Sequence, residues 1–96
     1  MSNDDRFSSV WDALEDDPIR VENLKLRSAL MIAIAEKIKE QGLTQTRAAE
    51  VLHISQPRVS ALLNGRINDF RLDSLVDMAH HLGMRVSIDV GSKSAA

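Results

Sequence analysis

The chain has 96 residues and a formal net charge of −2, which leaves room for one domain but not for two independent cores. Apolar residues make up 44% and aromatics only 3%, so the core must be built from Leu, Ile, Val, Ala and Met, a composition that favours helices over a β-sandwich. Cysteine is absent, which excludes disulfides and thiolate metal sites, and no apolar run resembles a signal peptide or approaches the ~18 residues of a membrane span, so a cytoplasmic protein is expected.

The charge is unevenly spread. Residues 1–18 hold six acids against Arg6 alone, whereas residues 19–71 hold nine bases against five acids. A basic centre behind an acidic head fits a chain with two kinds of partner, a head that screens its own groove, or a merely solubilising end. Within that head Phe7, Val10, Trp11 and Leu14 recur at helical spacing, which predicts a short amphipathic helix. Asp16, Asp17 and Pro18 then punctuate the chain.

Ile19 to Gln41 reads as a long helix. Its apolar stripe is Leu26, Ala29, Leu30, Ala33, Ile34 and Ile38, with Met31 and Ile32 off the stripe. Gly42 ends it as a left-handed cap, with Lys37 and Lys39 at its negative end. Thr44 is a natural N-cap for a short second helix through Leu52. Ser55 caps a third helix that has Pro57 in its first turn, runs to Asn64 and stops at Gly65. Asp73 or Ser74 opens a fourth helix, which Gly83 closes. Met84, Val86, Ile88 and Val90 then alternate with polar residues, the period of a β-strand that has no intrachain partner. Residues 91–96 form a small polar tail expected to fray. The fold class expected is an all-α bundle of four to five helices, with residues 84–90 pairing to the same strand of a second copy across a two-fold axis. Leu82 and Met78 join those four apolar residues as expected dimer contacts.

The stretch TQTRAAEVLHISQPRVSALLNG carries the functional signal. Two short helices joined by about three residues need a small residue where they touch, supplied by Ala49. They also need apolar anchors, supplied by Ala48, Leu52, Ile54, Val59 and Leu62. The exposed side of the third helix then offers Gln56, Arg58, Ser60 and Ala61 to base edges and phosphates in a major groove.

On these residues, above all Gln45, Ala49, Ile54, Ser55, Gln56, Val59, Ser60, Leu62, Asn64 and Gly65, the chain resembles the XRE family, the Cro and phage-repressor-like helix-turn-helix proteins, over roughly Ile19 to Gly83. His53 departs from the pattern, since glycine usually stands there; the turn tends to need positive φ, which histidine tolerates better than most residues. With FSSVWDALEDDP at the head and the alternating C-terminal run, nearly the whole chain resembles HigA-type antitoxins. The resemblance implies a lambda-repressor-like fold and a homodimeric repressor of its own operon, bound to a palindromic double-stranded DNA operator at the nucleoid. It also implies neutralisation of a RelE-like ribonuclease toxin held by Phe7, Val10, Trp11 and Leu14. It further implies that Gln45 touches a phosphate and braces Gln56, that Gln56 reads a base, and that Arg58 reaches a guanine or a phosphate. Thr44, Arg47, Ser55, Pro57, Ser60, Ala61, Asn64 and Arg66 complete the expected interface, with capping as the alternative for Gln45 and Ser55.

No catalytic site and no cofactor are expected. His80 and His81 are adjacent and diverge by about 100° on a helix, and His53 lies in another turn, so no metal site is expected. Asp73 and Asp77 are explained by the helix macrodipole rather than by acid–base work.

Overall fold

The computed structural model describes residues 17–92. Four α-helices follow in order: α1 (Pro18–Glu40), α2 (Gln45–Leu52), α3 (Gln56–Leu63) and, after a 3-10 turn at Ile67–Asp69, α4 (Leu72–His81). The predicted helix around Phe7–Leu14 lies outside the described residues.

The long helix begins one residue earlier than expected. Pro18 does not break it but occupies its first position, where a missing N–H costs nothing. The Asp17 carboxylate accepts the Arg20 N–H at 3.2 Å. The buried stripe of α1 also differs from the expected one. Leu24, Ser28, Met31, Ile34 and Ile38 face inward, whereas Leu26 and Ala29 are exposed and Leu30 and Ala33 half-buried. Both sets have helical spacing, so periodicity alone does not choose between them; packing against α4 and α3 does. Met31 therefore belongs to the core and is not a surface residue.

The core unites that stripe with Ala48 and Leu52 of α2, Val59 and Leu62 of α3, Ile67 and Phe70 of the connecting turn, and Leu75, Met78 and Ala79 of α4. Helix α4 opens at Leu72, ahead of the expected Asp73 or Ser74, and its flanking Arg71 makes no side-chain cap. Asp73 instead pairs with Arg71 at 3.4 Å and accepts the Ser74 N–H at 3.0 Å. Gly83, with φ +82°, ends the helix as expected; its N–H returns to the His80 carbonyl at 2.9 Å.

Arg27 holds the turn after α3. From α1, the Arg27 guanidinium donates to the carbonyls of Ile67 at 3.2 Å and Phe70 at 3.1 Å, and its Nε donates to Asn23 at 2.7 Å. These carbonyls would otherwise face a low-dielectric edge of the core. At the other end of the bundle the Gln41 amide donates to the Leu82 carbonyl at 3.1 Å, tying the end of α1 to the end of α4.

Residues 84–90 form no strand among the described residues. Their alternation survives only in part: Met84 and Val86 are half-buried against the core, while Ile88 and Val90 are 82% and 85% exposed. A strand exists only through ladder hydrogen bonds, and the described chain supplies no second strand. Met78 and Leu82, expected at a dimer interface, are instead buried in the chain's own core at 3% and 4% exposure. They can support a contact between copies only from beneath.

Candidate nucleic-acid interface

Helices α2 and α3 are separated by three residues, His53, Ile54 and Ser55. The first turns the chain: His53 has φ 59° and ψ 39°, the left-handed conformation that its position required. The Ile54 N–H then bonds back to the Ala49 carbonyl at 3.1 Å, and the half-buried Ile54 side chain anchors the turn on the core. Ala49 is 9% exposed where the two helices touch. A larger residue there would push α3 away, which is why the spacing and the small side chain go together.

Thr44 and Ser55 act as caps. Thr44 Oγ1 accepts the Arg47 N–H at 3.1 Å, and Ser55 Oγ accepts the Arg58 N–H at 3.3 Å. Each hydroxyl keeps its own proton for an outside acceptor, so capping and phosphate contact are compatible at both. The remaining outward residues of α3, with Asn64 that follows it, form an outer row. Gln56, Pro57 and Asn64 are exposed, and Ser60 and Ala61 half-buried. The Asn64 amide donates to Ser60 Oγ at 3.3 Å, one turn back.

Three expected roles are changed by the geometry. Gln56 is braced, but by Thr46 rather than Gln45: its Nε2 donates to Thr46 Oγ1 at 3.0 Å, across the two helices. Gln45 and Thr46 are neighbours pointing about 100° apart, so only one can reach Gln56. The signal that could have found Thr46 is its hydroxyl at the second position of α2, an acceptor for an amide opening α3. Arg58 does not share the presentation of Gln56. It is half-buried, donates to the Asp69 carbonyl at 3.2 Å and lays its guanidinium 4.4 Å from the centre of the Phe70 ring. Residues 56 and 58 are separated by about 200° around a helix. Arg58 thus locks the turn after α3, a role foreshadowed only by the pairing of an arginine with Phe70 twelve residues on. Arg47, finally, is exposed but already paired with Glu50 at 2.7 Å. Gln45 and Arg66 remain on the surface.

Two further features stand apart from this face. His53 and His81, expected to be separate, come together with ring centres 4.5 Å apart. On another side, Leu26, Leu30, Val76, Val86, Ile88 and Val90 line an apolar groove of about 570 Å3 between α1, α4 and the C-terminal segment. Among the described residues no three His, Cys, Asp or Glu side chains come close enough to cage an ion, and no helix is long and apolar enough to cross a membrane.

No curated protein matches the chain. The sequence pattern of the helix-turn-helix domain family matches residues 13–91, most of its length and all four helices described above. The two short helices that meet at Ala49, joined by three residues of which His53 is left-handed, lie within the matched residues, and the chain belongs to the helix-turn-helix domain family.

Proposed function

We propose that the chain is a sequence-specific DNA-binding transcriptional repressor, a homodimer on a two-fold operator. The observation that carries this reading is Gln56, an exposed residue held at the N-terminus of α3 by Thr46. A preorganised amide at that position of a recognition helix suits the bidentate readout of adenine in a major groove. Thr44, Ser55, Ser60 and Asn64 supply the surrounding hydroxyl and amide groups for the sugar–phosphate backbone. Gel shift on the chain's own promoter, against a shuffled duplex at matched salt, tests it; equal affinity for both duplexes refutes it.

Dimerisation finds support in the exposed apolar side chains of Ile88 and Val90 at the end of the alternating run. Antiparallel pairing of this run with its copy across a two-fold axis would satisfy its backbone groups, cover Ile88 and Val90, and space two recognition helices by about 34 Å, one turn of duplex. The finer reading is that the chain is the antitoxin of a type II toxin–antitoxin module. It rests on the resemblance of the whole sequence to HigA-type proteins and on the acidic, aromatic run Phe7–Asp17, suited to a basic ribonuclease. Removal of residues 1–17 should abolish capture of the protein encoded by the adjoining reading frame and leave operator binding intact. A truncated chain that still neutralises that protein removes the assignment.

A further inference from the structure

The histidines that the sequence scatters over two helices converge on one edge of the bundle. His53 ends α2 and makes the turn of the helix-turn-helix, and His81 is the last residue of α4. Their rings lie 4.5 Å apart at an interplanar angle of 49°. They are exposed, and both line a cleft of about 290 Å3 together with Asp77, one turn before His81 on α4. Metal–imidazole bonds of about 2.0–2.1 Å bring the ring centres of two ligands on one ion to about 4.5 Å when the ligands are at a right angle and to about 5.2 Å when they are tetrahedral. The pair already stands at the right-angled separation. The tilt keeps the rings out of a stacked sandwich, and Asp77 sets a negative charge in the same cleft beside the positive charge of Arg58, whose guanidinium donates to the Asp69 carbonyl and lies over the Phe70 ring.

We propose that His53 and His81 form a two-point site for a late first-row divalent ion, Ni2+, Cu2+ or Zn2+, that fastens the turn of the helix-turn-helix to the end of α4. Imidazole is the protein ligand these ions prefer, and affinity rises toward copper. Two protein ligands leave water in the remaining positions, so the ion is exchangeable rather than a structural cage. Its consequence is mechanical. Helix α3 starts three residues after His53, and an ion fixed to α4 holds that start against the core. Holding the left-handed turn also opposes its unfolding, since binding to the native chain alone stabilises it by mass action. His80 does not belong to the site: its ring centre lies 6.2 Å from that of His81, on a different face of α4.

The test uses the untagged full chain and the chloride salt of each ion alone, followed by calorimetric titration and urea unfolding. One ion per chain is expected. At an ion concentration of 100 times the dissociation constant, the folding equilibrium should rise about 100-fold. His53→Gly and His81→Ala should each abolish both effects, and His80→Ala should preserve them. Glycine accommodates the φ of 59° at position 53, so His53→Gly removes a ligand without breaking the turn, which circular dichroism verifies. No saturable binding by the parent chain, undiminished binding by His53→Gly, loss of binding in His80→Ala, or one ion per two chains would each overturn the assignment. None of these readouts involves DNA, so the site stands or falls apart from the repressor reading.

Discussion

Replacing Thr46 by valine removes one hydroxyl and keeps the branched shape, with nearly unchanged helix propensity. The Gln56 amide then loses its 3.0 Å partner on α2. Two terms follow. An exposed neutral hydrogen bond of this kind is worth about 0.5–1.5 kcal/mol. A freed glutamine must also be immobilised anew on binding, which costs about 0.5–1.5 kcal/mol for a rotamer-rich side chain. In the free protein the bond already holds the amide, so the two terms overlap rather than add, and the loss of operator affinity should be about 0.5–1.5 kcal/mol, or roughly 2- to 12-fold. Gln56→Ala should cost more, about 1–3 kcal/mol, and only against the duplex carrying the base it reads. Fluorescence anisotropy on the parent operator, and on duplexes altered at single positions, measures both. A double-mutant cycle is decisive: in the Gln56→Ala background, Thr46→Val should have almost no effect. If Thr46→Val weakens every duplex alike, or adds fully to Gln56→Ala, the brace does not act through base reading.

Arg27→Met keeps the aliphatic stem but strips the charge-assisted bonds to the Ile67 and Phe70 carbonyls; a loss of about 1.5–3 kcal/mol is expected, seen as a fall in urea midpoint, and an unchanged midpoint would make those bonds incidental. Operator affinity should fall with salt by roughly one unit of logarithmic slope for each phosphate neutralised; a flat titration would exclude DNA as the principal partner. Ile88→Asp, at a residue 82% exposed in the single chain, should turn dimer into monomer in sedimentation and weaken operator binding while helicity is kept. Persistence of the dimer would move the interface to the α1 face around Leu26 and Leu30.

Local chemistry by itself determined the punctuation of this protein. Thr44, Ser55 and Gly83 stop or start helices through bonds to residues three positions away, and the left-handed backbone of His53 follows from the three-residue turn that must fit between Leu52 and Gln56. Those interactions span a few residues, so their signatures are contiguous in sequence. The same holds for the anchors Ala48, Ala49, Leu52, Val59 and Leu62, whose spacing is that of two adjoining helices.

Tertiary structure decided whatever depended on which of two acceptable faces was covered, or on partners distant in sequence. Helix α1 carries apolar residues on more than one side, and only its packing selects Leu24 and Met31 over Leu26 and Ala29. Met78 and Leu82 could serve an interface or a core with equal periodicity, and the core claimed them. Arg58 and Arg27 have side chains long enough to reach any of several acceptors; the carbonyls of the 67–70 turn became available only once α3, the turn and α1 were assembled. Thr46 rather than Gln45 reaches Gln56 because the angle between two helices, unlike the spacing within one, is set by the packing of their side chains around Ala49. His53 and His81, 28 positions apart, meet for the same reason: contacts between helices follow from how the core closes, and no local pattern in either segment encodes it.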